Sequence, residues 1–250
     1  GGADFGPGDV RLPFLVIDGK GRVVTRPTAR IWLATGLKAR PFAQTIARSE
    51  EIGVEGSDPA DAEAIFVAPL ALKRPGSDGL LAEPVGGRKI QAVGTVVVKQ
   101  RTDAPDVGEP APASRTPTLA TASIEELTTS RVPDPELYRS SIASAVGDRA
   151  PFVVVFATPQ YCTSRLCGPV VDVLSSVRRA HPDTGVRFIH VEIYEGNDPS
   201  KGENRWVREW KLPSEPWVFV VGKDGRVRDR FEGAVSVREL DAAVRTHLLD

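Results

Sequence analysis

A segment rich in proline and alanine, residues 101–122, divides the 250-residue chain into two parts of different character. Such a composition buries too little apolar surface to fold alone. Since domains usually hold roughly 100 to 200 residues, the length also favours two of them. We therefore expect a first domain over residues 1–100, a semi-extended linker over residues 101–122 and a second domain over residues 123–250.

The first hundred residues alternate apolar and polar positions in short runs separated by Gly and Pro. A period of two predicts β-strands, most clearly at residues 11–17, 29–34, 64–72 and 91–99. A tight turn is predicted at residues 18–21, where glycines supply positive φ. The layout resembles the immunoglobulin-like domains of bacterial envelope proteins, which implies an all-β sandwich of two sheets. Because this part holds no Cys, His or Met, we expect it to serve as a packing or spacer domain.

The overall charge excludes some partners. A formal net charge of -1 provides no strong field for a nucleic acid, so we expect no nucleic-acid partner. No apolar run approaches the roughly 18 to 20 residues of a membrane-spanning helix. The sequence opens on two glycines, which suggests that a leader was trimmed. Any membrane attachment is therefore expected through a lipid anchor removed with that leader.

Beyond the proline-rich segment the pattern changes to continuous apolar runs, which are typical of strands buried on both faces of a sheet. Such runs predict strands at residues 151–156, 186–193 and 217–221, with a hairpin partner at 227–231. Helical spacing and caps predict helices at residues 133–146, 168–180 and 203–210, and a last helix after Ser236, whose capping-box partner is Glu239. After the opening helix, the order is β-α-β-α-β-β-α.

This order resembles that of the thioredoxin-like superfamily. Residues 216–225, read as PWVFVVGKDG, are similar to the cis-proline strand and hairpin of that superfamily, and residues 169–172, PVVD, to its active-site helix. The resemblance implies an α/β thioredoxin fold over residues 123–250. It also implies that Pro216 is cis and that the backbone at Glu215 and Pro216 docks a substrate strand.

The two cysteines mark the candidate reactive site. Cys162 is predicted in the loop after a buried strand, and Cys167 near the start of the following helix. Backbone N–H groups and the dipole at such a helix start stabilise a thiolate, to which Arg165 would add. Two Cys, scattered histidines and no Met fit neither a zinc site nor a copper site, so we expect no metal and no cofactor. The histidines are His181, His190 and His247.

The C-x4-C spacing departs from the C-x2-C of thioredoxins and leaves two alignments open. Either Cys162 is the nucleophile and Cys167 resolves, or Cys167 is the nucleophile and Val170 replaces its partner; we prefer the first, which also aligns Pro169. Residues five apart in a regular helix rise about 7.5 Å, which exceeds the roughly 7 Å Cα limit for a disulfide. A disulfide therefore requires an irregular segment at residues 163–166.

Further departures weaken the case for a thioredoxin-like reductase. Val155 stands where thioredoxins carry a buried acid, and no Trp directly precedes either cysteine. Glu215 precedes Pro216, where its charge would oppose a nearby thiolate. We expect slower or more specialised thiol exchange.

The leading hypothesis is a thiol-disulfide oxidoreductase in which Cys162 attacks and Cys167 resolves, with a protein thiol or disulfide as partner. The alternative is a non-enzymatic envelope module with a structural Cys162–Cys167 disulfide. A metal chaperone is less favoured because it needs a third ligand beside the cysteines, and His190 falls in a predicted strand and not in an open loop. A peroxidase is less favoured because peroxiredoxin-like sites have a Thr three residues before the reactive Cys, whereas Thr158 stands four residues before Cys162. A pairable dithiol and an appended β domain suggest an extracytoplasmic location.

Overall fold

The computed structural model describes residues 4–36, 39–55, 62–162 and 167–249. The chain forms two compact units. The first comprises Gly1–Glu51 and Ala62–Asp103, and the second Ile52–Asp61 and Ala104–Asp250. The division after Asp103 thus assigns most of the proline-rich segment to the second unit. In the described parts, no helix combines the length and apolarity needed to cross a membrane.

The first unit contains one antiparallel sheet, whose described strands have the spatial order β1-β4-β3-β2-β5-β6. These strands are β1 Gly8–Phe14, β2 Thr28–Ala34, β3 Ala43–Glu51, β4 Ala64–Leu72, β5 Gly76–Pro84 and β6 Ala92–Val98. In β2, Ala29, Ile31 and Leu33 are fully buried while the residues between them are not. The period of two therefore places one face of the sheet on the core.

The sheet is curled, and the predicted immunoglobulin-like sandwich of two sheets is wrong. Phe5, just before β1, forms a parallel bridge with Val98 at the end of β6, and the Lys99 N–H donates to the Phe5 carbonyl at 2.7 Å. The two ends of the strand order thus meet near Phe5. One continuous core is enclosed by a single sheet, an outcome that alternation alone does not distinguish from two facing sheets.

The second unit is built on a mixed sheet with the strand order β10-β9-β7-β8. Its strands are β7 Phe152–Phe156, β8 Arg187–Val191, β9 Trp217–Val221 and β10 Val227–Glu232. The helices are α1 Ile124–Leu127, α2 Ile142–Gly147, α3 Cys167–Ala180, α4 Arg205–Glu209 and α5 Val237–Val244. Short 3-10 turns lie at Pro135–Tyr138, Glu195–Asn197 and Pro199–Lys201, and a π-helical turn at Arg245–Leu249 continues α5. Every residue of β7 and β9 is buried, so apolar clusters cover both faces of the sheet.

The expected fold class of this unit, an α/β thioredoxin fold, is also corrected. The chain is mostly β, with a mixed four-stranded sheet separate from the curled one and only 22% of residues in helices. The predicted helix at 133–146 is divided into the turn Pro135–Tyr138 and the short α2, because Ser141 caps a new helix start. The predicted helix at 203–210 is reduced to the five residues of α4. Short, interrupted helices account for the low helical content.

Residues 104–122 pack along the second unit in extended form. The Ala111 N–H donates to the Gly225 carbonyl at 2.9 Å, and the Val227 N–H donates to the Glu109 carbonyl at 2.9 Å. Ser114 is buried and its hydroxyl accepts a hydrogen bond from Nε1 of the fully buried Trp210 at 3.2 Å. The prolines therefore keep this segment out of helices, but its small side chains let it lie against the hairpin of β9 and β10.

Several local predictions are confirmed. Asp18 and Gly21 close the first turn through a hydrogen bond from the Gly21 N–H to the Asp18 carbonyl at 2.9 Å. Asp134 accepts from the Glu136 N–H at the start of its 3-10 turn. The capping box predicted for the last helix opens α5. These contacts join residues at most three apart, so local sequence specifies them.

Candidate functional site

The two cysteines lie at the end of β7, where the chain leaves the sheet and enters α3. Ala157 and Thr158 follow the strand and are fully buried, Cys162 is half-buried in the loop, and Cys167 is the first residue of α3 and buried. The predicted placement of both cysteines is confirmed. Residues 163–166, which include Arg165, lie outside the described residues, and so do the predictions made for them.

The two cysteines are not joined in a disulfide, and the fold brings them to Glu215, in the turn before β9. The Sγ atoms of Cys162 and Cys167 and a carboxylate oxygen of Glu215 all lie within 4.8 Å of one another. The Glu215–Pro216 peptide bond is cis, as the resemblance implied. The sequence-predicted site residues are therefore together in space.

The environments of the two thiols differ. Burial raises the pKa of the Cys167 thiol far above its usual range, and the hydrogen bond with Cys162 and the charges of Cys162 and Glu215 raise it further. A backbone hydrogen bond from Thr158 acts in the opposite direction without reversing the shift. Cys167 is therefore a neutral thiol at neutral pH. Cys162 is the less buried residue of the pair.

Glu215 has an unusual carboxyl group for a surface loop. Burial, followed by the charges of Cys162, Glu192 and Glu203, raises the pKa of Glu215 to about 7. Its Oε2 atom is buried and has no hydrogen-bond partner among the described residues. Near neutral pH the carboxyl group can therefore both donate and accept a proton beside the two sulfurs.

Two tyrosines flank the sulfurs. Tyr161, 37% exposed, packs edge-on against Tyr194 with 6.5 Å between ring centroids. Burial raises the pKa of Tyr194, as do the charges of Glu215, Cys167 and Cys162, so its ring lies close to the cluster. The two rings thus place aromatic surface beside the sulfurs.

A chain of hydrogen bonds that sequence reasoning missed holds the loop that carries Cys162. The backbone N–H and the hydroxyl of Thr129 donate to Oε1 of the buried Glu192 at 2.6 and 2.8 Å. The Thr129 hydroxyl in turn accepts from the Gln160 N–H at 3.1 Å. Thr129 thus connects the end of β8 to the residue two before Cys162. Charged Glu192 after an apolar strand was the available signal.

A second buried pair supports the start of the same loop. Tyr138 donates its hydroxyl to His190 Nδ1 at 2.7 Å, and His190 Nε2 donates to the Ala157 carbonyl at 3.0 Å. Because the Ala157 carbonyl can only accept a hydrogen bond, the ring proton of His190 is on Nε2. The Nδ1 atom therefore accepts from the Tyr138 hydroxyl. Burial lowers the pKa of His190, which stays neutral. His190 is a packing residue that anchors the backbone leaving β7.

No family model, curated protein or solved structure matches this chain. Its chemistry is therefore derived from the site itself. The site combines two adjacent thiols of unequal exposure with a carboxyl group that titrates near neutrality.

Proposed function

We propose that the protein is a thiol-disulfide oxidoreductase that uses Cys162 and Cys167. The observation that carries this proposal is that two cysteines of unequal burial, Cys162 half-buried and Cys167 buried, lie together where the loop held by Thr129 and His190 ends. An isolated structural disulfide needs no such asymmetry. Thiol-disulfide exchange needs it, because one sulfur must react with the partner first and the other must attack the mixed disulfide afterwards.

Cys162 is the attacking sulfur in this scheme. Its thiolate attacks one sulfur of a partner disulfide, forming a mixed disulfide and releasing the partner's other sulfur as a thiolate, which takes up a proton. Cys167 then loses its proton and attacks Cys162 Sγ. A Cys162–Cys167 disulfide forms and the second partner thiol leaves. Two electrons pass from the protein to the partner, and an external dithiol restores the reduced pair.

Glu215 is suited to assist the second step. Its carboxylate oxygen lies within 4.8 Å of the Cys167 sulfur, and a buried thiol needs a nearby base before it can attack. Val155 occupies the strand position at which the resemblance would have placed an acid, and it is fully buried among apolar side chains. In this proposal the proton acceptor lies in the turn before β9 rather than on β7.

The partner is a protein that carries a thiol or a disulfide, docked along the backbone at Glu215 and Pro216. Support comes from the position of these residues beside both sulfurs and next to the aromatic pair Tyr161 and Tyr194. An extracytoplasmic compartment is part of this proposal, because an oxidising compartment lets a dithiol form and exchange disulfides.

A redox titration against glutathione tests this function, with thiol alkylation and intact mass as the readout. A midpoint between about -120 and -270 mV supports exchange, and a pair still oxidised below about -300 mV indicates a structural disulfide and contradicts the proposal. Cys167→Ser should accumulate a mixed disulfide with a partner protein. Cys162→Ser is the matched control and should accumulate none.

A further inference from the structure

The three groups at the site also form a donor set. Two sulfurs, from Cys162 and Cys167, and one oxygen from Glu215 lie within 4.8 Å of one another. In a tetrahedral zinc site, with Zn–S about 2.3 Å and Zn–O about 2.0–2.2 Å, ligand atoms stand about 3.5–3.8 Å apart. A contraction of about 1 Å would therefore close the set around an ion.

The surroundings of this donor set favour a cation. Oε2 of Glu215 is buried with no hydrogen-bond partner among the described residues, and the same holds for Oε2 of Glu192, whose side chain is 6% exposed. The charges of Glu192 and Glu203 both oppose ionisation of Glu215. A divalent cation held by the cysteines and Glu215 would satisfy an unpaired oxygen and offset this repulsion.

The chemistry of the donors selects the ion. Two thiolates exclude Mg²⁺ and Ca²⁺, which take oxygen ligands, while the carboxylate is a poor ligand for Cu⁺. Zn²⁺ accepts sulfur and oxygen together in tetrahedral geometry. We propose that the reduced Cys162–Cys167 pair and Glu215 bind one Zn²⁺.

Zinc binding would regulate the exchange reaction. The inference rests on the reduced pair of the proposed function, and a bound ion engages both sulfurs so that neither can attack. A strong partner disulfide would reverse it: the two thiolates give up two electrons and form the Cys162–Cys167 disulfide, the partner disulfide becomes two thiolates, and Zn²⁺ leaves. The site would thus hold zinc only when reduced.

Titration of the reduced full chain with Zn²⁺ against a chromophoric chelator tests the proposal, and X-ray absorption at the zinc edge gives the ligands. We expect one Zn²⁺ per chain, with two sulfur scatterers at about 2.3 Å and oxygen scatterers at about 2.0–2.2 Å. Glu215→Gln should lower the affinity at least about tenfold, whereas Glu125→Gln, an exposed acid on α1, should not change it. The disulfide form should bind none.

Absence of stoichiometric binding, or sulfur-only coordination unaffected by Glu215→Gln, would overturn the site. The X-ray spectrum of the unmodified chain keeps the test valid if a variant fails to fold. Thiol exchange is measured separately with a chelator present. Exchange without zinc binding rejects only the zinc site, and zinc binding without exchange rejects only the oxidoreductase.

Discussion

Tyr138 and His190, which stand 52 residues apart in the chain, meet through a 2.7 Å hydrogen bond in the core of the second unit. Through Nε2, His190 also donates a hydrogen bond to the Ala157 carbonyl, just after β7. Two buried residues thereby support the start of the loop that carries Cys162. The pair gives the first two predictions.

Tyr138→Phe should lower the free energy of unfolding by about 1–3 kcal/mol, because His190 Nδ1 is then buried without a donor. Urea unfolding followed by the fluorescence of Trp206, Trp210 and Trp217 measures the transition of the second unit. Tyr161→Phe removes the same hydroxyl from a more exposed ring and should stay within about 0.5 kcal/mol of the wild type. Equal effects of the two substitutions would contradict the assigned hydrogen bond.

Stability should fall at acid pH through His190. Burial holds its folded pKa below the usual value of 6.5, so below that pH the unfolded chain binds a proton that the folded chain does not. The free energy of unfolding should decrease as pH falls below about 6.5, by at most about 1.4 kcal/mol per pH unit from this residue. Unfolding curves of His190→Gln, set against those of the exposed control His247→Gln, isolate the slope. An unchanged slope in His190→Gln would show that the histidine does not titrate on unfolding.

Thr129→Val keeps the shape of the side chain and the backbone hydrogen bond to Glu192, but removes the hydroxyl contacts to Glu192 and to the Gln160 N–H. The loop before Cys162 loses its tie to β8, and we expect the rate of reaction with a small disulfide to fall about tenfold to a hundredfold. Stopped-flow thiol exchange measures the rate, and thermal unfolding checks the fold. Thr121→Val, on an exposed turn, is the control and should react at the wild-type rate. A normal rate in Thr129→Val would remove this residue from the positioning of Cys162.

Ser114→Ala tests whether the proline-rich segment belongs to the second unit. The substitution leaves Nε1 of the fully buried Trp210 without its acceptor, at a cost of about 1–3 kcal/mol. Chemical unfolding of the second unit should show the loss, while Ala113→Ser at the neighbouring exposed position should not. If Ser114→Ala unfolds like the wild type, residues 104–122 contribute nothing to this core.

Ile31→Ala should destabilise the first unit by about 2–5 kcal/mol, because Ile31 is fully buried in the curled sheet. Faster amide hydrogen exchange across β2, β3 and β5 would report the change without interference from the second unit. Ile17→Ala, at a residue that is 57% exposed, should leave exchange nearly unchanged. Similar amide hydrogen exchange in the two variants would contradict the placement of Ile31 in the core of this unit.

Local pattern determined much of what the chain forms. β4 and β9 have the predicted bounds, and the two cysteines stand at a strand end and a helix start as the apolar run and helical spacing indicated. The apolar period of two in the first unit reflects strands buried on one face, and the continuous apolar runs in the second reflect strands buried on both. Both patterns are visible in neighbouring residues of the sequence. The cis Glu215–Pro216 bond was predicted from the family resemblance and not from local pattern.

Tertiary structure alone decided the rest. Alternating strands can close one curled sheet or form two facing sheets. Which of these forms depends here on the pairing between Phe5 and Val98, at opposite ends of the sequence of the first unit. Thr129 and Glu192 are 63 residues apart, and their hydrogen bonds leave no trace in local pattern. The low helical share arose where Ser141 began a new helix and where the helix predicted at residues 203–210 was reduced to α4. Periodicity reports burial along one element, whereas these contacts depend on how distant elements meet.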